Sequence, residues 1–366
     1  MILLLHNRYR VPGGEERAVE DLAWLIRTEL GEEVELLERD SGTLAARDAA
    51  RGLLAGGLDT ADVAEAVRRT GARVVHAHNL LPALGWRALD AARAEGARVV
   101  CHLHNYRLVC AVGTCFTRGA DCTRCHGRDT WPGVRLNCRG GSRAEAAAYG
   151  AGLALWQPRL AAAAHAFVVP SAFALTRLER LGAPLGGRAR VIPSVQRAFA
   201  PRSAAGAGEY ALFAGRLTAE KGVADAIAAC RAAGVPLVVA GDGPDAAALR
   251  ASAPEVRFTG RVDAGALAGL RAGAALALVP SRYAEILPLA ALEAMAAGLP
   301  VVASSAGGLA EYVPAAGLHP PGDVPAMTAR VRALFGDEDA GAEALAVARA
   351  RTAPAVVAAA LREVYR

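Results

Sequence analysis

Forty of the 41 basic residues in this chain are arginines, and the single lysine, Lys221, stands in the run Phe213-Ala214-Gly215-Arg216-Leu217-Thr218-Ala219-Glu220-Lys221-Gly222. Where nearly every cation is a planar guanidinium, the one compact ammonium suits a narrow pocket beside a phosphate oxygen. Drift would leave the same lone lysine, so its neighbours matter. Arg216 lies five residues earlier, and two cations just past a strand end suit a diphosphate. A second constellation is Glu285-Ile286-Leu287-Pro288, with Glu293 eight residues beyond Glu285. A helix starting near Pro288 leaves Glu285 in the preceding loop and encloses Glu293. Carboxylates accept paired hydroxyl hydrogen bonds, so the first suits a sugar and the second a ribose. Two solvated acids on an amphipathic helix would show the same spacing.

Cys110, Cys122, Cys125 and Cys138 follow the pattern C-x11-C-x2-C-x12-C in a segment poor in apolar residues. That spacing is compatible with a tetrahedral structural zinc that orders the segment, with His126 as a substitute ligand. Reduced buried thiols and redox pairing are the other readings. Cys101 and Cys230 fall in apolar runs, Cys115 is unassigned, and seven cysteines in a chain expected to be cytosolic argue against a disulfide framework.

These residues need a scaffold, and the chain of 366 residues, 53% hydrophobic, is long enough for two cores. Short apolar runs alternate with helical spacing throughout, the pattern of parallel sheets with crossover helices, hence an α/β fold. Strands are expected near 2–5, 33–37, 73–77, 98–103, 166–169 and 190–192. The pattern starts again at Tyr210 and continues near 236–240, 256–259, 275–279, 299–303 and 316–318. This divides the chain into an N-terminal Rossmann-like domain, 1–195, with a Cys-rich insertion at about 105–141. A linker, 196–208, a second domain, 209–345, and a C-terminal helical segment, 346–366, broken by Pro354, complete it. Arginines are scattered among acids and aromatics are 5%, which excludes a base-stacking nucleic-acid platform. A formal charge of +5 permits peripheral contact with anionic lipid at the inner membrane face. Met1-Ile2-Leu3-Leu4-Leu5 reads as a buried strand rather than a leader, so a cytoplasmic location is expected. The apolar stretch 146–169, interrupted by Gln157, Pro158, Arg159 and His165, reads as a core helix followed by a strand.

Taken together, the Gly215/Arg216/Lys221 run, Gly241-Asp242-Gly243-Pro244 and the Glu285 to Glu293 stretch resemble the donor domain of retaining glycosyltransferases of family 4. Tyr9-Arg10-Val11-Pro12-Gly13-Gly14-Glu15, His76-Ala77-His78-Asn79 and His102-Leu103-His104-Asn105-Tyr106-Arg107 extend the resemblance over nearly the whole chain. It implies the GT-B arrangement: two Rossmann-like domains facing across a cleft, with a C-terminal helix crossing back to the first. It implies that Arg216 and Lys221 neutralise the donor diphosphate, that Glu285 holds the sugar hydroxyls, and that Glu293 binds the ribose. Gly13 and Gly14 would meet phosphate through backbone amides, and His104 would stand beside the sugar and the leaving phosphate. Gly215, Asp242, Arg261, Ile286 and Leu287 complete the expected donor site. Asn79, Asn105, Tyr106, Arg107 and Trp131 are the expected acceptor contacts. A similar cysteine-bearing insertion occurs in a subset of the family. The implied reaction is retaining transfer from a UDP- or GDP-sugar to a hydroxylated acceptor, whether glycan, lipid-linked or natural product, with no catalytic metal. Asp337-Glu338-Asp339, formally an Asp-x-Asp, reads as a solvated turn. Glu285-Ile286-Leu287-Pro288 departs from the family's usual Glu-Gly-Phe-Gly, and Val191-Ile192-Pro193-Ser194-Val195 lacks its usual Asn-Gly. A sugar-nucleotide epimerase and a noncatalytic sugar-nucleotide-binding protein are the rival readings.

Overall fold

The computed structural model describes residues 1–10, 13–139 and 142–366, so Val11 and Pro12 of the first glycine-rich motif lie outside the described residues. The chain forms two compact units. Unit 1 comprises Met1–Cys115, Cys122–Val195 and Pro354–Arg366, and unit 2 comprises Phe116–Asp121 and Gln196–Ala353.

Unit 1 is built on strands β1 (Ile2–Arg8), β2 (Val34–Asp40), β3 (Val74–Ala77) and β4 (Arg98–His102). A two-stranded hairpin, β5 (Phe116–Thr117) and β6 (Ala120–Asp121), follows in the chain, and then β7 (Ala166–Val169) and β8 (Ala189–Val191). The sheet runs β2-β1-β3-β4-β7-β8, every pairing parallel. Helices on both faces bury the central strands, which is why β1, β3 and β7 are nearly unbroken apolar runs. The apolar stretch before β7 forms the helix Arg143–Ala163, with Pro158 inside it.

One face of this sheet packs Ile2, Leu4, Val74, Val100 and Val168 against the helix Gly14–Leu25 and the last helix of the chain, Pro354–Tyr365. From that last helix Val357, Leu361 and Tyr365 join the cluster. The preceding helix, Glu338–Thr352, belongs instead to unit 2, where Ala344 and Ala348 are buried. The stretch 338–365 has the length and apolar content of a membrane span. It is nevertheless two helices separated at Ala353, with apolar faces in two different cores.

Unit 2 repeats the plan with β9 (Tyr210–Ala214), β10 (Leu237–Ala240), β11 (Arg257–Gly260), β12 (Ala274–Val279), β13 (Val301–Ser304) and β14 (Leu318–His319). Its order is β11-β10-β9-β12-β13-β14, again all parallel. This is the doubly wound order in which strands run outward in both directions from the first. The Pro-, Ser- and Ala-rich segment expected as a linker packs onto this unit. Ser203 Oγ donates to the Gly298 carbonyl at 2.7 Å, and Ala205 is fully buried. Where the chain passes between units, Gln196 N donates to the Thr352 carbonyl at 3.0 Å, so the outgoing and returning segments are hydrogen-bonded neighbours.

Leu361, 1% exposed, is held among β-strand side chains that are far away in sequence. Leu361→Ala is expected to cost about 2–5 kcal/mol through lost contact and residual cavity. It should lower the urea midpoint of the transition that melts unit 1; an unchanged midpoint would show that the last helix contributes nothing to that core.

Candidate functional site

In unit 2, strand order reverses between β9 and β12, so their carboxyl ends flank a crevice of the kind that takes ligands in open α/β sheets. Both sequence-nominated loops leave the sheet there. After β9 the chain makes a short 3-10 turn, Ala219–Lys221, and enters the helix Val223–Ala233. After β12 it passes through Ser281 to Glu285 and enters the helix Leu289–Ala296 with Pro288 as N-cap. Lys221 Nζ donates to Glu285 Oε2 at 2.8 Å and lies 5.3 Å from the centre of the Tyr283 ring. Ser281 Oγ donates to the other Glu285 oxygen. Glu285 is 5% exposed.

Two glycines make this approach feasible. Gly222 has φ +70° and a Cβ there would overlap the Pro280 carbonyl. Gly307 has φ +67° and a Cβ there would overlap the Glu285 backbone. Arg282 completes the clamp, since its Nε donates to Asp225 Oδ2 at 2.7 Å and its backbone amide to the Glu220 carbonyl at 2.8 Å. Burial by itself favours the neutral amine at Lys221, but the adjacent Glu285 carboxylate outweighs it and raises the lysine pKa above its usual value.

Arg216 is exposed and, among the described residues, has no side-chain partner. Leu217 N donates to the Asp242 carbonyl at 2.9 Å, and Gly215 N to the Ala240 carbonyl at 3.0 Å, which fixes the loop that carries Arg216. Asp242 itself is exposed and folds its carboxylate back onto Gly243 N at 2.8 Å. Arg261, also exposed, follows β11 on the same edge. Ile286 is buried and Leu287 half-buried, so both contribute packing ahead of the helix. Glu293 lies within that helix and is ion-paired with Arg271, an arrangement that a ribose would have to share. Asp337 caps the helix Glu338–Thr352 by accepting from Ala340 N at 2.9 Å.

In unit 1 the corresponding reversal falls between β1 and β3. Gly13 caps the helix Gly14–Leu25, but its amide already donates to Glu16 Oε2 at 2.7 Å. Glu16 also accepts from Tyr9 N at 3.0 Å and lies 3.7 Å from His6. Burial opposes its ionisation, yet the contact with His6 and the two backbone amides hold its pKa at about 2. Gly14 opens the helix from an exposed position.

Beside this loop is a cavity lined wholly by residues of unit 1. Its polar end is formed by Glu15, Asn79, His104, Asn105 and Arg107, and its body by Leu53, Trp86, Leu153, Trp156 and Leu160. Tyr9 OH donates to Glu15 Oε2 at 2.7 Å, while Asn105 Nδ2 and an Arg107 guanidinium nitrogen donate to Tyr9 OH at 3.1 and 3.2 Å. Arg107 also donates to Asn79 Oδ1 at 3.3 Å. Three expected acceptor residues, Asn79, Asn105 and Arg107, thus form one network with Tyr9 and Glu15, whose roles were not nominated from sequence.

Two expected acceptor contacts stand apart from this network. Tyr106 is 1% exposed, its ring packed 5.3 Å from the Arg177 guanidinium, and it belongs to the core. Trp131 begins the short helix Trp131–Arg135, is 66% exposed, and is not part of the cavity wall, where Trp86 and Trp156 stand instead.

Of the four cysteines nominated for zinc, Cys110 and Cys138 both lie close enough to act electrostatically on Cys125. Among the described residues, the set of three side chains with ligand atoms mutually within 4.8 Å is formed by histidines, not by these thiols. Cys110 pairs with Cys115, which lowers the Cys110 thiol to about 6 by hydrogen bonding and raises that of Cys115. Cys125 is buried, while Cys122 and Cys138 are half-buried.

His104 sits at the end of a group with His6 of β1 and with His76, His78 and His102, which lie in two separate sequence motifs. His78 Nδ1 and His104 Nε2 are 2.8 Å apart, and the rings of His102 and His104 stack at 4.0 Å. Burial lowers the pKa of His76 and His104 to about 3 each and pushes those of His78 and His102 well below the usual value, so the rings are neutral.

Residues 9–194 match the family profile described as "Glycosyl transferase 4-like domain", and residues 208–337 match that described as "Glycosyl transferases group 1". Glycogen synthase of Mycobacterium tuberculosis is 39% identical over 154 residues, 38% of this chain and 37% of that protein. A GDP-mannose-dependent alpha-(1-6)-phosphatidylinositol dimannoside mannosyltransferase of the same species is 44% identical over 109 residues, 28% of each. This chain therefore spans 37% and 28% of the length of those two relatives. Sucrose-phosphate synthase of Thermosynechococcus elongatus superposes with a TM-score of 0.70 at 18% identity, over 100% of this chain and 98% of that one. Anabaena HepE in complex with UDP-glucose gives 0.65 at 18% identity, over 99% and 98%. At such identity the likeness is one of fold.

The buried imidazoles make stability pH-dependent with a definite sign. An unfolded chain protonates its histidines near 6.5, whereas the folded one resists down to about 3 at His76 and His104, so the unfolded state binds more protons in that window. Stability should be flat from pH 8 to 7 and fall below 6.5, by up to about 1.4 kcal/mol per pH unit for each ring. Scanning calorimetry of metal-free protein between pH 8 and 5 checks this; a constant melting temperature would contradict the buried neutral cluster.

Proposed function

The chain belongs to the 4-like glycosyltransferases of the GT-B fold, and we propose that it transfers a sugar from a nucleoside diphosphate sugar to the hydroxyl of an acceptor, with retention of anomeric configuration. The observation that carries this reading is the Lys221–Glu285 contact at the strand-order reversal of unit 2, with exposed Arg216 on the adjoining loop. A donor diphosphate needs two cations that stay charged in a partly desolvated crevice. Arg216 carries a permanent charge, and Lys221 is kept protonated by Glu285. In the reaction, negative charge accumulates on the departing β-phosphate, and fixed cations aimed at it stabilise the transition state. The β-phosphate in turn takes the acceptor hydroxyl's proton. Glu285, held by Lys221 and Ser281, presents a carboxylate for sugar hydroxyls. No divalent ion is assigned to the diphosphate.

The unit 1 cavity supports an acceptor with an apolar body and a hydroxylated end. Trp86 and Trp156, with ring centroids 5.7 Å apart, line its body, and the Tyr9–Glu15–Asn105–Arg107 network its polar end. UDP- and GDP-sugars are the proposed donors, since HepE is a UDP-glucose complex and the mannosyltransferase is named for GDP-mannose.

Purified chain is to be incubated in EDTA with UDP-, GDP-, ADP- and dTDP-sugars, and nucleoside diphosphate release measured. One donor is expected to be turned over. Lys221→Ala and Arg216→Ala should each raise the barrier by about 2.7–4 kcal/mol, roughly a 100- to 1000-fold loss. Lys221→Arg should also be impaired, because the planar fork does not fit where the ammonium stands 2.8 Å from Glu285. Lys221→Ala strands a buried carboxylate and should also lower the melting temperature, whereas exposed Arg216 separates chemistry from folding. An isomerised sugar nucleotide as product would overturn the transferase reading.

A further inference from the structure

His-x-His occurs on two neighbouring strand ends, as His76-Ala77-His78 and His102-Leu103-His104. Side chains two apart along a strand share a face, and β3 pairs with β4 so that His76 faces Val100 and Ala77 faces Cys101. All four imidazoles therefore stand on one face of two adjoining strands. His76, His78 and His102 are 0%, 5% and 8% exposed, and one ring nitrogen of each lies within 4.8 Å of the other two.

The two ring-to-ring contacts in this group differ in kind. His78 and His104 are 2.8 Å apart, an ordinary hydrogen bond. His76 Nε2 and His102 Nδ1 are 3.3 Å apart, long for a hydrogen bond but equal to the edge of a tetrahedron with metal–nitrogen bonds of 2.0–2.1 Å, about 3.3 Å. The far nitrogens of His76 and His78 are arranged as ligating histidines require. His76 Nδ1 is held by Tyr365 OH at 2.7 Å and His78 Nδ1 by His104, which fixes each ring and leaves each Nε2 directed elsewhere. His78 Nε2 and His102 Nε2 are buried and, among the described residues, have no partner.

We propose that His76, His78 and His102 form a binding site for one first-row divalent cation of the zinc class, set beneath His104 and independent of the reaction proposed above. Three neutral imidazoles without a carboxylate select a borderline ion over Mg2+ or Ca2+, which demand oxygen. Bringing the third nitrogen to tetrahedral spacing needs a shift of at most about 1.5 Å, the difference between 4.8 and 3.3 Å. His78 and His102 also line the unit 1 cavity, which supplies a route of entry. Through the His78–His104 hydrogen bond, the ion would fix the orientation of His104.

The full chain, stripped with chelator and dialysed, is to be titrated with Co2+, Zn2+ and Mg2+. One equivalent of Co2+ should develop the visible ligand-field bands of a tetrahedral nitrogen site without the near-ultraviolet thiolate-to-metal absorption. Zn2+ should displace it and Mg2+ should not. Tyr365→Phe keeps the ring but removes the hydroxyl from His76, and should weaken Zn2+ binding 10- to 100-fold. His102→Gln should abolish the single equivalent, and serine at Cys110, Cys122, Cys125 and Cys138 should leave it unchanged. Thiolate absorption, loss of binding in the serine variant, or no binding at all would overturn the proposal, the last leaving a ladder of hydrogen-bonded imidazoles. If His102→Gln fails to fold, the spectrum of the unaltered chain together with Tyr365→Phe decides the matter.

Discussion

Parallel pairing brings the carboxyl ends of all strands in a sheet to one edge, and that constraint organises both halves of this protein. Because a strand must return through a crossover before it can pair again, neighbouring loops at the reversal point come from segments far apart in sequence. Lys221 and Glu285 are 64 residues apart and meet only because β9 and β12 lie side by side. His78 and His104, 26 residues apart, meet because β3 adjoins β4. The chemistry of each unit is thus a property of strand order, with loop composition acting afterwards. Gly222 and Gly307 show the second step, since they let the loops approach closely enough for a 2.8 Å contact between charged groups.

Much of this plan is legible in the sequence because it rests on local periodicity. The apolar runs expected for twelve strands fall on the strands of both sheets, with ends displaced by a residue or two. The last shows why ends move: the run at 316–318 begins inside a 3-10 turn, Ala315–Gly317, and pairing starts only at Leu318. The lone Lys221 and the Glu285 motif were visible because residue type alone singles them out. The segment 196–208, expected as a linker, packs onto unit 2, because small residues serve a close-packed segment as well as a flexible one. Ser203 and Ala205 are buried against unit 2.

What sequence could not supply is register and long-range contact. Five of the eight histidines gather on one face, yet their gathering depends on which residues of β1, β3 and β4 lie opposite each other. Glu16 takes the Gly13 amide that a phosphate-binding loop was expected to offer, a competition decided by geometry three residues away. Tyr106 and Trp131 are both aromatic residues near the expected acceptor side. One faces inward beneath Arg177, and the other stands on the surface of the insertion. Trp86 and Trp156 look like ordinary helical aromatics until the fold places their rings together. The cysteine spacing singles out four thiols, and three-dimensional proximity adds the unassigned Cys115, which is hydrogen-bonded to Cys110.

The last helix, Pro354–Tyr365, fills the core of the unit whose first strand is Ile2–Arg8. During synthesis, the strands of unit 1 are all made by Val191, but of the side chains that cover Ile2, Leu4 and Val74, only those of the helix Gly14–Leu25 are present by then, and those of the last helix arrive some 160 residues later. At translation rates of about 5–20 residues per second, that is roughly 10–30 s in which a largely apolar sheet face waits only partly covered. Unit 2, apart from a six-residue hairpin, is continuous and can close first. The core of the first-made unit is thus completed by the last-made helix described here, after the whole of unit 2 has been synthesised.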